Sequence, residues 1–343
     1  MHPLKFAIAA PLLGALALAA AASAAEAVSY QVSETFHVGG AGGWDYLTVD
    51  AARHLLYVPR STHTQVLDER TGAVVADIPG QKRNHGVALV PAVGRGFITD
   101  GADASVTVFD LKTNAVLGKI KAAEDADGII YDAASNKVAL VCGDAGVLVT
   151  LSPDLDPKTG GADHTIELGG KPEFLAADGR GKVYVNLVDQ AQVAVVDLKT
   201  GTVAAHWSVA PGGTPVGMAI DPEHRLLFIG CRQPQKMIVM SCDTGNVVAD
   251  LPIGRGVDAV AFDAGYALAS CGDGTLAVVA RAADGKYQVV QTVRTRPGAR
   301  TEGVDPDTHT LYLPTAEYLP STGAGRPQAK PGSFMVLKVS RSR

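Results

Sequence analysis

Seven positions along the chain each open a short β-forming run: Asp45, His85, Asp127, Glu173, Val216, Asp258 and Arg300. Six of the seven are ionisable, with Val216 the exception. Carboxylates and an imidazole converging at a concave mouth suit a cation or a polyhydroxylated molecule. Carboxylates that crowd one another also acquire coupled, partly raised pKa values and can act as an acid–base pair. The plainer reading is a hydrated channel mouth whose charges pair with neighbours and hold water. Their order is itself informative. His85 falls between Asp45 and Asp127, and Arg300, the one strong cation of the set, falls between Asp258 and Asp45.

Such a ring needs a scaffold that repeats. The spacings between the seven starts are 40, 42, 46, 43, 42 and 42 residues. Each interval holds short β-branched runs separated by Gly, Asp and Pro turns, as in GGKPEFLAADGRGKVYVNLVDQAQVAVVDLKTGTVAAHWSVAPGG from Gly169 to Gly213. Four antiparallel strands per unit with a period of about 40–45 residues is the propeller signature. We therefore expect an all-β, seven-bladed β-propeller with four-stranded blades. The seventh unit supplies only three strands, the last over Ser333–Ser340. Alternating Ser29–Val38 is the expected fourth, closing the ring and removing an exposed edge.

First strands line a propeller's axis, so the inward positions Thr48, Ala88, Ala176, Ala219, Ala261 and Gly303 are small, with Ile130 the exception. Second-strand ends are expected to bring Arg60, Asp100, Cys142, Cys231 and Cys271 around the mouth, with Trp44 and Tyr318 nearby and Trp44 a candidate to stack on a ligand. A longer hairpin is expected over Ser152–Asp163, and a Pro/Gly-rich insertion, Glu317–Pro331, over one mouth of the channel. His54, His224 and His309 read as turn residues on the opposite face.

Residues 1–27 carry Lys5, the Ala/Leu stretch Phe6–Ala22 and small residues suited to cleavage, the pattern of a secretory signal peptide, leaving residues 28–343 as a single propeller domain. No later run is long enough to span a bilayer. The net charge of −5 and the lack of a Lys/Arg cluster do not favour nucleic acid or anionic lipid as partner. There is no GxSxG, CxxCH, CxxC or Walker loop. Of the four cysteines, Cys231 and Cys271 could bridge neighbouring units, while Cys142 and Cys242 offer other pairings; free buried thiols fit equally well.

The segments LLYVPRSTHTQVLD (55–68), HGVALV (85–90), VTVFDLKTN (106–114), GGKPEF (169–174), GKVYVNL (181–187), VVDLKTG (195–201), RGVDAVAFD (255–263), GDGTL (272–276) and GARTEGVDPDTHTLYLPTAEY (298–318) together resemble the YVTN-type, YncE-like exported β-propellers. The resemblance implies a seven-bladed periplasmic protein that binds rather than catalyses. It also implies that Asp45, His85, Asp127, Glu173, Asp258 and Arg300 occupy positions that relatives fill with the same residue types. Val216, where relatives often place an acid, and Glu302, where they place an apolar residue, depart from that pattern. The expected function is binding of a small polar ligand, a metal ion, or a periplasmic or outer-membrane protein at the mouth, by a monomer and without catalysis. The alternative is a lactonase-like hydrolase with a divalent metal on Asp127, Glu173 and Asp258 and with His85 activating water.

Overall fold

The computed structural model describes residues 28–320 and 327–342. The signal segment expected over residues 1–27 lies outside the described residues. Among them, no helix is long and apolar enough to cross a membrane.

Turn chemistry sets where the strands end. Asp68 Oδ1 accepts from the backbone N–H groups of Arg70 (3.0 Å) and Thr71 (2.8 Å), and Gly72 then takes a left-handed φ of 71°. Asp197 repeats this with Lys199, Thr200 and Gly201. These turns fold the expected runs into seven four-stranded antiparallel sheets. The third, for example, consists of Ala126–Asp132, Lys137–Cys142, Val147–Leu151 and His164–Glu167. The first strands of successive sheets pack against one another all the way round, which makes the sheets blades about a common axis. Buried apolar residues form seven clusters, one in each gap between neighbouring blades.

The seventh blade closes as expected. It consists of Gly303–Asp305, Thr310–Thr315, Met335–Ser342 and, outermost, Ser29–His37 from the other end of the described chain. Ser29 pairs with Ser342 and His37 with Met335. Tyr30 and Phe36, 1% and 4% exposed, bury the inner face of this closing strand. The backbone of Tyr30 exchanges two 2.8 Å hydrogen bonds with the Gln291 side chain of blade six.

The long connection over Ser152–Asp163 is present and returns against blade two, where Arg95 donates to the carbonyl of Leu155 at 2.6 Å. The stem of the Glu317–Pro331 insertion is ordered by a Tyr318–Ala329 bridge. All four cysteines are free and buried, so no Cys231–Cys271 bridge forms. Burial pushes the Cys142, Cys231 and Cys242 thiols up to about 11, leaving them poor nucleophiles.

One core position breaks the apolar pattern. Two residues after each ring position lies a buried contact to the neighbouring blade: Leu47, Val87, Ile129, Leu175, Met218 and Val260. In blade seven the same place holds Glu302, 7% exposed, its carboxyl near the backbone N–H groups of Ala261 and Ser270 but in good hydrogen-bond geometry with neither. Burial pushes its carboxyl well above the ordinary range of a glutamate. A carboxyl raised in this way contributes full stability only below its unfolded value and costs stability as the pH rises. Glu302→Leu is therefore expected to stabilise the fold by about 1–3 kcal/mol near neutrality, with a smaller gain at pH 5 than at pH 8. Urea melts at both values check this, and an equal gain at both would show that Glu302 does not titrate against burial.

Candidate functional site

The ring residues reach the axis through a repeated distortion. In blades two to five, two residues of the first strand face one residue of the second, the count that defines a β-bulge. His85 and Gly86 lie between the pairs Asn84–Asp100 and Val87–Ile98. The pairs Asp127–Gly128, Glu173–Phe174 and Val216–Gly217 sit in the same register break. In blade six Asp258 is the extra residue, between Val257 and Ala259. A bulge turns a side chain out of the pleat, here towards the channel. The residue that follows must be small where the next blade comes close: a Cβ on Gly217 would lie 2.7 Å from the Ala259 backbone.

Hydrogen bonds from one blade to the next then fix the ring backbone. Thr99 donates to the carbonyl of Asp127 at 2.6 Å, Asn186 to that of Val216 at 2.8 Å, and Ser270 to that of Arg300 at 2.6 Å. Thr301 donates to the carbonyl of Asp45 at 3.1 Å. Asp45 is held from the other side as well. The loop before it delivers the carbonyls of Gly39, Ala41, Gly42 and Gly43 to the guanidinium of Arg60, at 2.9–3.3 Å.

Arg60 was expected at the mouth, yet it is fully buried, turned back under this loop with its guanidinium 3.6 Å from the centre of the Phe334 ring. Its length and planar fork suit that task. Asp100 is likewise buried, accepting from Thr107, and the cysteines at the second-strand ends are core residues. Trp44 packs on Phe334 and Tyr318, with ring centres 5.6 and 6.4 Å away, instead of facing an open mouth. His54 and His309 occupy left-handed turn positions; in blade five that position is Arg225, one residue after His224.

The mouth divides into two arcs. In the first, His85 Nδ1 lies 2.6 Å from Asp45 and 3.6 Å from Asp127. These three are the one group of metal-ligating types that converges among the described residues, with donor atoms within 4.8 Å of one another. His85 Nε2 has no hydrogen-bond partner, and Asp127 Oδ1 has only the 3.6 Å approach of His85 Nδ1. Burial alone would lower the imidazole pKa, but the Asp45 hydrogen bond and the Asp127 and Asp45 charges outweigh it and hold it at about 9. Burial pushes the Asp127 carboxyl well up, against the opposing pull of His85. Glu173, the next member, takes no hydrogen bond from any described residue, and burial and the Asp258 charge raise it too.

The second arc is cationic. Arg300 Nε donates to one oxygen of Asp258, as the blade order suggests. The other oxygen is taken by Arg232, whose Nε also donates to the carbonyl of Val257 at 3.1 Å. Arg300 is therefore not the only strong cation at the mouth. Arg232 extends from the end of the second strand of blade five, whose own ring residue, Val216, is buried. Its position could have been noticed, because the equivalent residues in blades two, three and six are Gly101, Gly143 and Gly272. The set expected to hold a metal in a hydrolase, Asp127, Glu173 and Asp258, does not converge as a ligand group. Asp258 is committed to the two guanidiniums.

Beneath the ring, Tyr46 of blade one and Phe174 of blade four meet across the axis with ring centres 4.8 Å apart. Burial, then the charges of Asp127, Asp258, Asp45 and Glu173, push the Tyr46 hydroxyl well up, so it remains a neutral donor. The pair forms part of the wall of a cavity of about 450 Å³ that continues down the channel past Thr48, Ala88 and Ile130 to Tyr131.

No family model matches the chain, and no curated protein matches it. The seven-bladed fold and the geometry of its mouth are therefore read from the chain itself.

Two predictions follow the arcs. The His85 ring signals should titrate near pH 9 by NMR and move towards 6.5 or below in Asp45→Asn; no change in the variant would rule out the Asp45 contact as the cause. Because the folded value lies above the unfolded one, the stability contributed by His85 is complete below about 6.5 and lost as the pH rises through 9. In the second arc, Arg300→Ala alone should be mild, since Arg232 still neutralises Asp258. The double variant Arg232→Ala/Arg300→Ala leaves a carboxylate that is 4% exposed without a counter-charge. It should lose about 3–5 kcal/mol at pH 7 and regain part of this at pH 5, where the raised carboxyl protonates. Denaturant melts at the two pH values measure both effects, and additive single-variant losses would contradict shared neutralisation.

Proposed function

We propose that this is a binding protein of the YVTN-type, YncE-like kind, exported to the periplasm, that takes a small polar ligand at the mouth ringed by Asp45, His85, Asp127, Glu173, Asp258 and Arg300. The observation that carries the reading is that polar groups at this mouth are fixed in place but left without partners. Asp127 Oδ1 and His85 Nε2 are buried and unbonded, and Glu173 accepts from no described residue. A buried polar group without a partner costs stability, so a row of them held rigidly by bulges and cross-blade bonds fits a site completed by a ligand.

Among the described residues, none at the mouth has the arrangement of a nucleophile beside a base. His85 is held between two carboxylates, and its raised value keeps the imidazole protonated near neutrality, where it cannot serve as a general base.

Thermal denaturation with sugars, divalent metal salts, amino acids and dicarboxylates at millimolar concentration tests the reading. At least one class should raise the midpoint of wild type by a few degrees, because ligand bound only to the folded state stabilises it. The rise should vanish in Asp127→Asn/Glu173→Gln. If no class shifts wild type, or if the shift survives in the double variant, the mouth is not the binding site.

A further inference from the structure

We propose that the ligand of this mouth is a small zwitterion of the amino-acid class, its ammonium set against Asp127 and Glu173 and its carboxylate against Arg232 and Arg300. The inference rests on the mouth being a binding site and names what the site selects.

The two arcs ask for opposite charges. On one side two guanidiniums share the single carboxylate of Asp258, so one positive charge is left over. Both arginine side chains are pinned by that carboxylate, yet 39% exposed. Arg300 uses only Nε, and among the described residues its two terminal nitrogens meet no acceptor; Nη1 of Arg232 is likewise unused. Guanidinium nitrogens already held in place but still open are the arrangement that grips a carboxylate.

On the other side Asp45 and Asp127 flank the His85 imidazole, and Glu173 lies next along the ring, its carboxyl raised by burial and the Asp258 charge against the pull of Arg232 and Lys171. The imidazole answers Asp45 at 2.6 Å and stands 3.6 Å from Asp127 Oδ1, which accepts no hydrogen bond, and half-buried Glu173 accepts none from any described residue. An ammonium brings three donors and a positive charge to these two groups. Beneath Glu173, the Tyr46–Phe174 pair supplies aromatic surface for the aliphatic part of the ligand or for the edge of the ammonium.

Other classes fit one arc only. A simple anion satisfies the arginines but faces Asp127 and Glu173. A divalent cation at Asp45, His85 and Asp127 must displace the proton that His85 holds, and it leaves the guanidiniums unanswered. A neutral sugar compensates neither excess.

The raised carboxyl groups of Asp127 and Glu173 give the proposal a second readout. An ammonium placed beside them favours their ionised forms, so the protons they hold in the free protein are released to solvent on binding, more of them as the pH is lowered from neutrality.

The test is titration calorimetry on the wild-type protein with the common L-amino acids. For leucine, the amine-only and acid-only analogues 3-methylbutylamine and 4-methylpentanoate are added, with glucose, calcium chloride and zinc chloride as probes of the other classes. Each amino acid that binds is repeated in phosphate and in Tris, whose ionisation heats differ. At least one amino acid should bind, with proton release, and removing either charged group should weaken binding at least about tenfold. Glu173→Gln should erase the advantage of the amino acid over its acid analogue, and Arg300→Gln its advantage over its amine analogue. Melting curves of both variants confirm that they fold. The proposal is overturned if either single-charge analogue binds as well as the zwitterion. It is also overturned if glucose or a metal ion binds while no amino acid does, which leaves the mouth as a binding site for another class. If no probe of any class binds, both the proposal and the reading beneath it fall.

Discussion

Seven strands converging on one axis leave little room, and the rest of the structure answers that constraint. Neighbouring first strands come so close that Gly217 could not carry a Cβ without meeting the backbone of Ala259. The bulges relieve this crowding by letting the strand bend, and in the same step they turn His85, Asp127, Glu173 and Asp258 inward. Functional groups and steric relief thus share one backbone feature. Thr99 and Asn186 then tie the bulges at Asp127 and Val216 to the preceding blade, and Ser270 holds the backbone of Arg300 in the same way, so these ring positions are set by two blades rather than one.

The electrostatics follow from that placement. Side chains gathered from different blades meet at close range, and partial burial amplifies every charge. Asp45, His85 and Asp127 form one interacting set, and Arg232, Asp258 and Arg300 a second. Tyr46 lies under both, a neutral hydroxyl near four carboxyl groups. A mouth with a carboxyl-rich side and a guanidinium-rich side has a strong dipole across its opening, although the whole chain carries a formal charge of only −5.

The blade count, the ring positions and the closing strand were legible because repetition is written in the sequence period and strand character in β-branched runs. Each ring residue could be named because it stands just before an apolar run of fixed length. The bulges were not legible, since an extra residue exists only relative to a partner strand. Arg60 was misplaced for a related reason: its backbone is at the rim, but a long side chain can turn back, and a loop rich in unpaired carbonyls drew it inward. Arg232 was overlooked because the alignment followed first strands, whereas its signal lies at the end of a second strand, where blades two, three and six have glycine. Tyr46 was hidden in DYLTVD, where it reads as one more apolar strand residue, and its contact with Phe174 spans three blades.

The pairing of Ser29–His37 with Met335–Ser342 also bears on how the protein is made. Ser29 and Ser342 are partners across 313 residues, so a strand made early in synthesis waits for one made much later. Until then blade seven lacks its outer strand, and the gaps on either side of it, between blades six and seven and between seven and one, cannot fill. Nearest-neighbour blades can assemble early from local hairpins, but the circle shuts only in a final, strongly non-local step. The intermediate that precedes it exposes one unpaired sheet edge, and that edge is the place where a second chain could add its own strand before the first one returns.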